Sequence, residues 1–122
     1  NGTSIEASSA YIDVVKEVTL QNGLAERVNF KQGDFTTTAT DVDSADIVTL
    51  DKVICCYDDM SKLVGLSSKL ARKIYAVIYP RDVWWTKLAL PIMNFYPKIK
   101  GSSFRVFIHP RKKVEEIIFG NE

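Results

Sequence analysis

Histidine and cysteine are scarce in this sequence, and neither is placed for the chemistry it most often carries. His109 is the only histidine. A Ser-His-Asp arrangement would have to use it, and no nucleophile-elbow pattern accompanies it, so His109 reads as a structural or rim residue. The two cysteines, Cys55 and Cys56, are adjacent. Neighbours of this kind cannot close an ordinary disulfide loop, which argues against a stapled secreted domain. Two cysteines and one histidine are also too few for a structural zinc site, so no metal is expected. The pair is expected to act as two small buried hydrophobes. An excess of one charge is missing too: 16 basic residues face 15 acidic ones for a net charge of +1, which gives no general pull towards nucleic acid. No apolar run approaches the ~20 residues needed to span a bilayer. The first residues carry no basic region followed by an apolar one, and the expected location is the cytoplasm. Finally, no G-x-G pattern occurs anywhere.

What the sequence does have is the composition of an ordinary globular domain, 46% apolar and 25% charged over 122 residues, which excludes a disordered chain. Short β-type runs alternate with helical periods, as in an α/β domain. Thr3 to Glu6 reads as the end of a strand. Ser8 or Ser9 can cap a helix whose apolar positions Tyr11, Val14, Val15 and Val18 share one face, and Gly23 is a natural left-handed stop. Val28 to Gln32 is a short strand running into Gly33-Asp34. The polar stretch from Thr36 to Ser44 reads as loop with room for one helical turn. Ala45 to Leu50 is an apolar strand stopped by Asp51. Asp58 or Asp59 caps a helix with Met60, Leu63, Val64, Leu70 and Ala71 on its apolar side and Arg72 and Lys73 in its last turn. Ile74 to Tyr79 is nearly all apolar, as in a parallel strand buried on both faces. Val83 to Tyr96 reads as a helix kinked or broken near Pro91. A turn at Gly101 to Ser103, a last strand from Phe104 to Ile108 and a helix from Lys112 to Phe119 complete the series.

Three strand ends carry an acid: Glu6, Asp34 and Asp51. Ligands of doubly wound sheets bind at the carboxyl ends of the strands, and parallel strands would bring these acids to one rim. A carboxylate there can accept hydrogen bonds from the vicinal hydroxyls of a ribose, and another can take an exocyclic amine. The three together suggest a nucleoside-cofactor site, although acids also follow strands simply to cap the next helix or open a turn.

Ile5-Glu6-Ala7-Ser8 with Tyr11, Gly23 to Phe30, Gly33-Asp34-Phe35, Ala45 to Asp51 and Arg72 to Pro80 together resemble the second to fifth strand motifs of class I S-adenosylmethionine-dependent methyltransferases. Phe104 to Pro110 resembles the sixth strand of the same family. The resemblance implies a Rossmann-like fold, a doubly wound and mostly parallel sheet in a single domain over residues 1–122. It implies S-adenosylmethionine as cofactor, with S-adenosylhomocysteine as product. Glu6 would bind the ribose, Ala7 would pack on the adenine, Asp34 and Phe35 would meet the adenine edge, and Asp51 would lie near the methionine end. The implied reaction moves a methyl group to a nucleophile on a small-molecule substrate; the sequence does not identify that acceptor, a small or apolar one being the reading. It names no catalytic base and no oligomeric state.

The family's glycine-rich loop follows a first strand that stands in the middle of the sheet, upstream of the position of Glu6. This sequence begins five residues before Glu6. The expectation is a domain incomplete at its N-terminal end, a fragment of a longer polypeptide or a chain completed by a strand from another. A non-catalytic Rossmann-like binding module and a nicotinamide-binding oxidoreductase domain stand as alternatives; the second also uses an acid after its second strand. Residues 83–100 hold four aromatics, Trp84, Trp85, Phe95 and Tyr96, and admit three readings: packing of a helix on the sheet, a lid over the substrate, or an interfacial helix at a membrane surface with Lys87, Lys98 and Lys100 towards headgroups. Arg105, Arg111, Lys112 and Lys113 form a loose basic cluster that reads as a solvated face, with no stacking motif for RNA.

Overall fold

The computed structural model describes residues 1–80, 83–101 and 105–120. The chain is α/β and divides into two compact units, Asn1–Val42 and Asp43–Glu122, each with its own two-stranded parallel sheet.

The first unit is built from β1 (Gly2–Glu6), α1 (Ser9–Gln21), β2 (Val28–Gln32) and a short α2 (Phe35–Thr38). β1 and β2 pair in parallel from Gly2 opposite Val28 to Glu6 opposite Gln32. A parallel pair cannot be closed by a tight turn, and α1 supplies the crossover. Its end is set locally. Gly23 takes φ +67°, where a side chain would be strained, and the Gly23 and Leu24 amides donate to the Leu20 and Thr19 carbonyls at 3.1 and 2.8 Å. This double bond pattern closes the helix on the glycine expected to stop it.

The face of α1 differs from the expected one. Tyr11, Val14 and Val18 are at least half exposed, while Ile12 is buried and Val15 and Thr19 are half-buried. Ile12, Val15 and Thr19 also follow helical spacing, so two stripes compete, and the sheet takes the one with the less conspicuous side chains. The stretch after β2 forms α2 and a 3-10 turn at Ala39–Asp41. Its starting signal is Asp34, whose carboxylate accepts from the Thr36 amide at 2.8 Å.

The second unit contains β3 (Ala45–Asp51), a 3-10 turn at Ile54–Cys56, α3 (Met60–Leu70), β4 (Ala71–Ile78), α4 (Trp84–Ile99) and α5 (Arg111–Phe119). Asp59 rather than Asp58 caps α3, accepting from the Lys62 amide at 3.0 Å. α3 ends at Leu70, not beyond it. Arg72 and Lys73, expected in its last turn, belong to β4 and pair with Asp46 on β3 at 3.3 and 3.4 Å. The pairing explains the longer strand: Ala71 already sits opposite Ala45, and the ladder runs to Asp51 opposite Ile78.

Alternation divides this sheet into two faces. Val48, Leu50, Tyr75 and Val77 are half-buried, and Tyr75 reaches α3, where its hydroxyl lies 2.8 Å from that of the buried Ser67. Burial raises the pKa of the Tyr75 phenol, partly offset by that bond. The core of the unit lies here: Ile54, Met60, Leu63 and Val64 are buried with Val114 of α5, which packs on α3. Burial of one such side chain contributes about 1.5–3 kcal/mol. Ile47, Ile74 and Ile78 occupy the other face and are each more than half exposed. The strand expected to be buried on both faces is therefore buried on one.

α4 runs through both Pro91 and Pro97 without a break. Residues 105–108 were expected to complete a last strand; Phe104 lies outside the described residues, as do Ser102 and Ser103 of the expected turn. Residues 105–109 are irregular, held by single bonds rather than by a ladder. The Asn94 amide grips Val106 twice, accepting from its N–H at 2.8 Å and donating to its carbonyl at 2.9 Å. The Phe107 amide donates to the Cys55 carbonyl at 2.7 Å, and His109 Nε2 lies 2.9 Å from the Tyr57 carbonyl. A side-chain amide here occupies the backbone groups that a neighbouring strand would have used.

Asn94→Ala leaves two part-buried backbone groups without these bonds, and is expected to lower the unfolding free energy by about 1–3 kcal/mol in urea denaturation. A loss under a few tenths of a kcal/mol would show that the 105–109 segment is not held by Asn94.

Candidate functional site

The parallel register of β1 and β2 places their carboxyl ends side by side. Glu6 is the last residue of β1 and lies opposite Gln32, and the Gly33 amide donates to the Glu6 carbonyl at 2.9 Å. Gly33 turns there with φ +150°, a conformation open to glycine, and delivers Asp34 to the same rim. Glu6, Asp34 and Phe35 are half-buried, and Ala7 is exposed at the mouth of the turn after β1. Four of the five residues expected to form a site thus occupy one end of the first unit.

Asp34 has a second role. Its Oδ1 accepts from the Thr36 amide at 2.8 Å and from the Thr36 hydroxyl at 3.1 Å, and its main-chain carbonyl accepts from the Thr37 and Thr38 hydroxyls. Thr36 is buried. Reading only the acid misses this partner, although an acid two residues before a threonine at the start of a helical turn is a capping signal. The cap fixes the carboxylate on the rim.

Asp51, the third acid, belongs to the second unit. It is exposed at the carboxyl end of β3. Lys52 follows it with φ +56°, the only non-glycine residue with positive φ among the described residues, and its amide donates to the Ile78 carbonyl at 2.8 Å. A lysine in the left-handed region costs about 1–2 kcal/mol relative to the ordinary helical one. Strain of this kind gathers at functional turns. Nothing in the residue types signals it, because Asp51-Lys52 carries no glycine or asparagine.

Beyond this turn lie the two cysteines. Contrary to the expectation of two buried hydrophobes, Cys55 is half-buried and Cys56 exposed, with their sulfurs 3.7 Å apart. The 3-10 turn directs Cys55 Sγ to the Lys52 carbonyl at 3.0 Å and buries Ile54 in their place. The Cys56 thiol is pushed up to about 11, first by burial and then by the hydrogen bond and charge of Cys55. His109 stacks on Phe107 at 6.1 Å besides approaching the Tyr57 carbonyl, which is a structural arrangement. Among the described residues, no three His, Cys, Asp or Glu side chains are grouped to hold a metal ion. No helix among them is long and apolar enough to cross a membrane.

No protein-family model, curated protein or solved structure matches this chain.

Replacing Lys52 by glycine removes the left-handed strain and is expected to raise stability by about 0.5–1 kcal/mol, after the larger entropy of an unfolded glycine is subtracted. A Lys52→Gly variant less stable than the parent in thermal denaturation would show that the side chain itself holds the turn. The Cys56 shift gives a second expectation. The thiol stays protonated at neutral pH and ionises only as the pH rises through about 11. The 13Cβ resonance of Cys56 should titrate with a midpoint there; a midpoint near the ordinary value of about 8.5 would show that neither partial desolvation nor Cys55 acts on this thiol.

Proposed function

We propose that the chain binds S-adenosylmethionine at the carboxyl ends of its parallel strands and serves methyl transfer to a small or apolar acceptor. The observation that carries this reading is the shared rim of β1 and β2, where Glu6 and Asp34 stand at adjacent strand ends and a positive-φ glycine joins them. A rim with two carboxylates and little positive charge suits the hydroxyls and amine of an adenosine better than a phosphate.

The residues present fit such a group. Glu6, at the end of β1, would accept from the two ribose hydroxyls. Asp34 would accept from the adenine amine, a carboxylate oxygen being an acceptor for about two hydrogen bonds. Phe35 would meet the adenine edge beside Asp34, and Ala7 would pack on the ring. When bound, S-adenosylmethionine supplies a methyl group on an electrophilic sulfonium. The side chains contribute orientation, which can account for a large part of such a rate enhancement without a catalytic base.

The doubly wound sheet belongs to the same proposal. In the fold that the sequence resembles, the partners of β1 and β3 on one side are β2 and β4, and one more strand stands between β1 and β3. Within each unit by itself the observed pairing, β1 with β2 and β3 with β4, is parallel and crossed by a helix, as that fold has it.

Calorimetric titration with S-adenosylhomocysteine, with NAD as control, tests the reading. Saturable binding of the first alone is expected; binding of NAD alone, or of neither, counts against it. Asp34→Ser separates the two roles of Asp34, because serine caps a helix about as well as aspartate. It should leave the melting temperature nearly unchanged and weaken S-adenosylhomocysteine binding by about 1–3 kcal/mol, roughly ten- to a hundredfold. Unchanged affinity would remove Asp34 from the site.

A further inference from the structure

α4 is the most apolar helix of the structure and buries none of its side chains. Trp84, Trp85, Leu88, Ile92, Met93, Phe95, Tyr96 and Ile99 are between 54% and 78% exposed. The exposure is ordered around the helix. At 100° per residue, Trp84, Leu88, Ile92, Phe95 and Ile99 fall within one continuous arc, and Trp85 and Tyr96 extend it. Thr86, Leu90, Asn94 and Pro97 lie on the other side and are half-buried. That side is the attached one, through the double bond from Asn94 to Val106. The body of the unit therefore holds α4 by the mixed stripe that carries Asn94 and presents the more apolar one outwards, unlike an ordinary surface helix.

Charge indicates the occupant. Residues 83–101 contain three lysines and no acidic residue, within a chain whose acids and bases almost balance. Lys98 lies on one flank of the apolar arc and Lys100 on the other, both exposed, and the Lys100 ammonium rests 4.9 Å from the centre of the Tyr96 ring. Lysines on the flanks can bury their stems and keep the charge at the level of lipid headgroups, where tryptophan and tyrosine also concentrate. A protein partner matched to the lysines would need acids around an apolar groove; an anionic bilayer offers both chemistries over its whole surface. At 16 residues α4 is about 24 Å long, short of the ~30 Å hydrocarbon core, which suits a helix lying in the interface.

We propose that α4 docks the chain on membranes with anionic headgroups, its apolar arc entering the acyl boundary and Lys98 and Lys100 contacting the headgroups. This inference is independent of the methyltransferase reading.

Trp84 and Trp85 are the only tryptophans of the chain, so its tryptophan fluorescence reports on this helix alone. The chain is mixed with vesicles of phosphatidylcholine, or of phosphatidylcholine and phosphatidylglycerol in equal parts, and followed by emission and by flotation. A shift to shorter wavelength and co-flotation are expected with the anionic vesicles, with partitioning at least about tenfold above the zwitterionic ones and falling as salt is raised. Each lysine at an anionic surface is worth about fivefold, so Lys98→Glu with Lys100→Glu should reduce partitioning by about 25-fold or more. Leu88→Ser with Ile92→Ser should abolish the emission shift; all four positions are exposed, and circular dichroism confirms that the variants fold. The proposal is overturned by absence of binding to anionic vesicles, by equal binding to both kinds, or by binding indifferent to the lysine variants. It is likewise overturned by a dimer in light scattering that disappears in the Leu88→Ser, Ile92→Ser variant, which would give the face to a second copy of the chain.

Discussion

A parallel strand pair has to carry the chain back from one end of the sheet to the other before the second strand can begin. Both sheets of this protein answer that demand with a helix, α1 between β1 and β2 and α3 between β3 and β4. Much else follows from it. The helices have to bury a stripe against the strands, which places the core of the second unit between α3 and the Val48, Leu50, Tyr75 and Val77 face. The strands point the same way, so the residues that leave them, Glu6 and Asp34 in one sheet and Asp51 in the other, leave at carboxyl ends. The candidate site is a by-product of connectivity before it is a matter of side chains.

The same constraint explains why the order of elements was legible in the sequence while several details were not. The alternation of apolar runs and helical periods leads to nine elements, and eight of them are present. Gly23 and Asp59 terminate helices as their types suggest, because capping is a local matter. The misses fall where two acceptable local patterns compete. On α1, the Tyr11, Val14 and Val18 stripe is the more apolar, yet Ile12 faces the sheet. At the start of β4, Arg72 and Lys73 suit a helix end as well as a strand, and they lie in the ladder with β3, distant in sequence, where both pair with Asp46. Residues 105–108 have strand-like composition, but their hydrogen bonds go to Asn94 and Cys55.

At the site, the positions of the acids were legible and the supports were not. Glu6, Asp34 and Asp51 stand at strand ends as their sequence neighbours indicate. The cap that fixes Asp34 through Thr36 and the strained turn at Lys52 need coordinates, because each depends on backbone angles that residue type only biases. The cysteines show the same limit: two adjacent small side chains in a 3-10 turn cannot both point inwards, and Ile54 takes the interior.

The short reach of the crossovers also shapes how the chain folds. β1, α1 and β2 complete each other within residues 2–32, and β3, α3 and β4 within residues 45–78. Neither assembly has to wait for a distant segment, and contacts this local form quickly. As the polypeptide leaves the ribosome, β1, α1 and β2 emerge before β3 does. The irregular segment after α4, whose grip depends on Asn94 and on Cys55, and α5, whose Val114 joins the core against α3, must reach back over earlier structure, which makes their docking the late step in the second unit.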